Sequence, residues 1–171
     1  MEYHTSSSNL YLYNMKAYHL NFNQQLPVSL KEAWDFFSSP LNLAKITPTE
    51  MAFTVTSELK DNQKMYPGMI ITYKITPLLG IKLDWMTEIT QVKEEEYFID
   101  EQRFGPYKFW HHQHHFSTIA GGVQMNDMLT YGLPFGIFGQ AANELFVANK
   151  LQEIFSFRKQ KVIEIFGEIN R

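Results

Sequence analysis

The sequence contains no cysteine. That excludes disulfides, thiolate metal sites and thiol nucleophiles, and it fits a reducing compartment, so a cytoplasmic location is expected. Charge is scarce as well, at 19% of residues, and nearly balanced: 15 Lys and Arg stand against 18 Asp and Glu, a formal net charge of −3. Without a basic field there is nothing to draw in a phosphate backbone or an anionic membrane surface, and nucleic acid is not an expected partner. No apolar run approaches the roughly 20 residues of a membrane span, so stable insertion is not expected. Abundant instead are apolar residues at 44%, aromatics among them at 15%, in a chain of 171 residues. Such a chain is long enough for one well-packed core.

Residues 1–14 are rich in Ser, Tyr and Asn and lack the basic start and apolar stretch of a signal peptide. Met15 reads as the natural start of a single domain over 15–171, with 1–14 an added extension; a native arm is the alternative. The alternation of Tyr18, Leu20 and Phe22 predicts a half-buried strand, and Leu30, Ala33, Trp34 and Phe37 at helical spacing predict a helix capped by Ser29 and stopped by Pro40. A second short helix is expected near Leu41 to Ile46. Six strands follow, over Ala52–Ser57, Met69–Thr76, Ile81–Gln91, Glu96–Phe104, Lys108–Thr118 and Val123–Tyr131, with short turn-like separators. Short connections make consecutive strands antiparallel, because a parallel pair needs a long crossover. From Pro134 to Gly167 the period is helical. Phe138, Ala141, Ala142, Leu145, Ala148, Leu151, Phe155, Val162 and Phe166 form the expected apolar stripe, whose small early residues leave room over the sheet for a cavity of a few hundred cubic ångströms.

One strand, two short helices, a six-stranded meander and a long terminal helix together resemble the helix-grip fold of the START-like, or SRPBCC, superfamily, which includes lipid-transfer domains, polyketide cyclases and pollen-allergen-type carriers. Gly105-Pro106-Tyr107, Trp110, His112, His114, Phe116, Gly121-Gly122, Asp127, Tyr131 and Pro134-Phe135-Gly136 are similar to the signature of a bacterial branch of it. The resemblance implies an α+β chain with a curved seven-stranded antiparallel sheet, two short helices and a long C-terminal helix enclosing a small hydrophobic molecule. Fold alone supplies no chemistry.

Strand register sharpens the polar residues. A hairpin at Ala120-Gly121 sets His114 against Asp127, His112 against Leu129 and Trp110 against Tyr131. A three-residue turn at 105–107 sets Asp100 beside His112, Phe98 beside His114 and Gln102 beside Trp110. A turn at Lys93-Glu94 sets Ile89 against Phe98, Thr87 against Asp100 and Trp85 against Gln102. The face these share also carries Ile81, Leu83, Phe116 and Met125, so it is the inner one, and Asp100, Gln102, His112, His114 and Asp127 point inward among aromatics.

Buried polar groups must pair. The readings left open are a structural hydrogen-bond network, a patch that orients a ligand, a His/Asp metal site whose geometry cross-strand spacing does not fix, and a His–Asp acid/base dyad. His111 and His115 fall on the outer face, where solvent is expected. The ligand-binding set is Trp85, Asp100, Gln102, Trp110, His112, His114, Asp127 and Tyr131, and Leu78, Leu79, Tyr107, Leu133 and Phe135 are expected to rim an apolar mouth. No catalytic residue, metal ligand or cofactor is assigned. The expected function is sequestration of a small hydrophobic or amphipathic molecule; a cyclase or dehydratase acting on a polyketide-like substrate and a protein-interaction domain are the alternatives, and the oligomeric state is left open.

Overall fold

The computed structural model describes residues 16–76 and 81–169. Strand β1 (Ala17–Leu26) leads into helix α1 (Leu30–Phe37), then into tight helical turns at Pro40–Ile46 and Thr49–Met51. Ser29 starts α1 as expected: its Oγ accepts from the Glu32 N–H at 3.2 Å. Strands β2 (Thr54–Val55), β3 (Met69–Ile75), β4 (Leu83–Lys93), β5 (Tyr97–Phe104), β6 (Phe109–Ile119) and β7 (Gly122–Gly132) follow, and the chain ends in α2 (Ile137–Ala142), a wide π turn (Asn143–Val147) and α3 (Ala148–Phe166). The sheet is antiparallel with order β1-β7-β6-β5-β4-β3-β2, so the meander is extended by β1 laid against β7.

Turn chemistry explains the register. Gly121 adopts a φ of 81° in the β6–β7 hairpin, where a side chain would be strained. Its neighbour Gly122 lies so close to the Leu26 carbonyl that no Cβ fits there, which lets the end of β1 close on β7. The resulting pairs are those expected: His114 with Asp127, His112 with Leu129 and Trp110 with Tyr131. Asp100 with His112 and Phe98 with His114 also pair as expected.

The β4–β5 register is a correction. Lys93 pairs with Tyr97 around a three-residue turn in which Glu95 takes a φ of 60°, so Ile89 meets Asp100, and Thr87 meets Gln102. Irregularities between Ile89 and Gln91 and between Met86 and Thr87 restore the pleat. Trp85, Thr87 and Ile89 are therefore buried on the expected face although their partners are shifted. Ile81 is not on that face: it precedes β4 and is 57% exposed. Strand β2 is shorter than expected because the Ser57 hydroxyl, not a backbone carbonyl, receives the Thr72 N–H at 2.6 Å.

The terminal helix ends where Gly167 caps it, its N–H donating to the Ile163 carbonyl at 2.8 Å. Its early stripe differs from the expected one. The π turn adds a residue to one turn and rotates the phase, so Gly139, Asn143 and Val147 face inward, while Phe138 and Leu145 are exposed. Ala141 is exposed and Ala148 half-buried, so the alanines do not make the space over the sheet. One apolar cluster gathers around Trp34 of α1, which meets Phe98 and Phe116 edge-on with ring centroids 6.1 and 5.7 Å apart.

Candidate functional site

Four inward side chains on three adjacent strands form the polar centre of the molecule. Alternation along β6 sends His112 and His114 to the same face, and the two flanking ladders bring Asp100 from β5 and Asp127 from β7 beside them. His112, His114 and Asp127 are buried and Asp100 nearly so. Asp100 Oδ2 lies 2.9 Å from His114 Nε2 and 3.5 Å from His112 Nδ1. Asp127 Oδ1 lies on the other side, 2.6 Å from His114 Nδ1 and 3.5 Å from His112 Nε2. The two imidazoles are thus clamped between two carboxylates, their ring centroids 3.9 Å apart. Trp110 Nε1 adds a donor to Asp100 Oδ1 at 3.3 Å.

The two histidines are driven in opposite directions. Burial is the strongest influence on His112 and lowers its pKa, and the charge of His114 adds to this, so His112 is neutral near pH 7. Burial would lower His114 too, but the Asp127 charge and the Asp100 hydrogen bond outweigh it and hold the ring protonated more readily than a free imidazole. Burial would likewise raise both carboxylates; His114 and His112 hold Asp127 far below the ordinary range, and the His114 hydrogen bond and both ring charges hold Asp100 below it. The close approach of Asp127 to His114 is out of line with the ring N–H. Asp127 Oδ1, His114 Nδ1 and His112 Nε2 are consequently buried without a directed hydrogen-bond partner.

A cavity of about 110 Å³ opens against this centre. It is smaller than the few hundred cubic ångströms expected, and it sits elsewhere: under α1 and the Pro40–Ile46 turn, not under the alanines of the terminal helix. Of the residues expected to bind ligand, Asp100, Trp110, His112 and His114 line it. Asp127 stands behind the histidines. Trp85 donates to Thr87 Oγ1 at 3.0 Å, and Tyr131 donates to Asn143 Oδ1 at 2.7 Å, both in the core beyond the cavity. Gln102 braces the 105–107 turn, donating to the Tyr107 carbonyl at 2.6 Å and accepting from its N–H at 3.2 Å.

Leu78 and Leu79 lie outside the described residues. Tyr107, Leu133 and Phe135 come together with Phe138 and Pro134 in a separate outer groove of about 570 Å³. Tyr107 packs there against Trp85, Trp110 and Tyr131. The expected rim is therefore not the edge of the inner cavity.

His111 and His115 are on the outer face but are half-buried, not free: His111 Nδ1 sits 2.9 Å from Glu101 Oε1, and His115 Nε2 lies 3.0 Å from Gln113 Oε1. Most of the apolar lining, from Phe36 and Phe37 to Phe53 and Ile71, was not among the expected site residues, and the charged lining residue that sequence reasoning missed is Arg158. It stands over the Phe155 ring at 5.0 Å, and its Nε is buried without a partner. The signal was present, since position 158 is three residues after Phe155 and four before Val162 on the buried stripe.

The chain has the helix-grip fold. Ginseng major latex-like protein 151 from Panax ginseng matches it with a TM-score of 0.63 at 11% identity, over 88% of this chain and 97% of that one. Ara h 8.0201 matches with a TM-score of 0.54 at 11% identity, over 87% and 99%. A protein from Chromobacterium violaceum matches with a TM-score of 0.65 at 11% identity, over 88% and 98%. No protein-family model matches the sequence, and no curated protein matches it. Among the described residues no helix is long and apolar enough to cross a membrane.

Proposed function

We propose that this cytoplasmic domain binds a small amphipathic molecule in the inner cavity, its apolar body against the aromatic walls and its polar end against Asp100 and His112. One observation carries the reading: a cavity walled by Phe36, Phe37, Phe53, Ile71 and Ile89 ends on a buried cluster of acidic and imidazole groups. A core with no occupant has no need of that cluster, because well-packed apolar residues stabilise as well as a buried ionic network does. The unpartnered Nε of Arg158 at the same cavity adds a donor for an acidic or hydroxyl oxygen. The volume limits the occupant to the scale of one ring, since an engineered apolar cavity of about 150 Å³ takes up benzene.

Calorimetric titration with phenol and with toluene tests this, because the two differ by a hydroxyl in place of a methyl. Phenol is expected to bind at least tenfold more tightly. Equal affinity, or no binding of either, contradicts the reading.

A specific observation also favours the enzymatic alternative in one form. Burial favours the neutral form of His112, which faces the cavity and is free to accept a proton, whereas the Asp127 charge and the Asp100 hydrogen bond favour the protonated form of His114. Any cyclase or dehydratase chemistry on a polyketide-like substrate therefore runs through His112. The apolar groove with exposed Phe135 and Phe138 supports the third reading, a protein contact, at a place distinct from the cavity.

A further inference from the structure

We propose that Asp100, His112 and His114 form a site for one divalent transition-metal cation, with Asp127 orienting both imidazoles from behind. The first argument is convergence. One ligand atom from each of the three residues falls within 4.8 Å of the others. Asp100 Oδ2 stands 2.9 Å from His114 Nε2 and 3.5 Å from His112 Nδ1. Metal–ligand bonds of about 2.0–2.2 Å set neighbouring ligand atoms roughly 2.8–3.1 Å apart in octahedral sites and roughly 3.3–3.6 Å apart in tetrahedral ones. Asp100 Oδ2 thus stands at a ligand's separation from each imidazole, and seating a cation requires the two near ring nitrogens, up to 4.8 Å apart, to close by about an ångström.

The second argument is the outer carboxylate. The nitrogens that face away from Asp100, His112 Nε2 and His114 Nδ1, both face Asp127 Oδ1, at 3.5 and 2.6 Å. Metal-bound histidines almost always donate their other N–H to such a group, which fixes the tautomer and the ring plane. His112 Nε2, His114 Nδ1 and Asp127 Oδ1 are among the buried side-chain atoms that lack a directed partner. Two neutral imidazoles, each protonated on its far nitrogen, would offer both N–H groups to Asp127 once the rings turn into line with it, and would leave both near nitrogens unprotonated for the cation.

The third argument is charge and access. Two carboxylates buried together, Asp100 and Asp127, are balanced by one divalent cation. Asp100, His112 and His114 all line the cavity while Asp127 does not, so the open coordination positions face the space where a small molecule would sit. Two imidazoles and one carboxylate with open positions suit Fe²⁺, Co²⁺, Ni²⁺ or Zn²⁺, and the absence of cysteine removes the thiolates that favour softer ions.

The test uses the full chain, stripped with a chelator and titrated with Co²⁺ and Zn²⁺ by calorimetry and visible absorption. One equivalent of Co²⁺ is expected, with ligand-field bands of a nitrogen and oxygen site and a raised melting temperature. His112→Ala and Asp100→Ala should each weaken binding at least 100-fold, and Asp127→Asn should weaken it about 10- to 100-fold without changing the stoichiometry. His111→Ala with His115→Ala should leave it unchanged. Circular dichroism of each variant separates loss of the site from loss of the fold. Binding that survives Asp100→Ala in a folded chain, or a wild-type chain that takes up no ion, overturns the proposal. Phenol binding measured on the stripped protein is an independent readout, so failure of the metal site is distinguishable from failure of the cavity reading.

Discussion

The inner face of the sheet has two halves built by the same three strands. Phe98, Phe116 and Met125 lie two residues along β5, β6 and β7 from Asp100, His114 and Asp127, and a single step of the pleat separates an apolar packed end from an ionic centre. At the packed end Trp34 stands edge-on against two phenylalanine rings, with Val123 and Val162 closing the layer. At the centre, four titratable side chains clamp one another and a cavity remains. The first half holds the fold together. The second requires desolvation of charges that the fold does not need. The proposed site rests on that cluster lying beside a cavity.

That contrast can be broken or sharpened by substitution. The largest effect is expected at the packed end: Trp34→Ala should cost about 3–5 kcal/mol in chemical denaturation, the range for deleting a buried large aromatic. A loss under about 1 kcal/mol would mean that the end is not tightly packed. Next comes Asp127→Ala, expected to cost about 1–3 kcal/mol because it strands buried imidazole nitrogens. Equilibrium unfolding measures it, and a change of a few tenths would place Asp127 in water.

Smaller still is Leu43→Trp, which fills the cavity from the Pro40–Ile46 turn. Its stability cost should stay below the roughly 1–3 kcal/mol of overpacking a tight core, while calorimetry should find phenol binding abolished; undiminished binding would move the ligand elsewhere. His111→Ala should have the least effect, under about 1 kcal/mol, since its Glu101 contact is on the outer face. If it matches His114→Ala, the division between inner and outer faces fails.

Much of this was legible in the sequence because alternation and turn chemistry are local. The order of strands within the meander, the Ser29 cap, the Gly167 cap and the inward direction of Asp100, His112, His114 and Asp127 follow from periods and turns, whereas the pairing of β1 with β7 has no local signal. The β4–β5 register escaped because a left-handed Glu95 makes the turn one residue longer, and a bulge then hides the slip by restoring the face. The start of the terminal helix escaped for a related reason. A π turn at Asn143–Val147 changes the phase of a stripe that pure helical spacing treats as continuous. The cavity was expected under alanines, yet its place is set by α1 and the Pro40–Ile46 turn meeting the sheet, a tertiary fact with no local signal. Arg158 was overlooked because a charge within an apolar stripe reads as an interruption.

The central claim is that the inner cavity, and not the outer apolar groove, receives a small molecule by its polar end. Side-chain NMR of the chain during a phenol titration tests it most directly. The account predicts shifted imidazole resonances of His112 and His114, with ring-proton contacts to the methyl groups of Ile71 and Ile89. Perturbations confined to Leu133, Phe135 and Phe138 would contradict it.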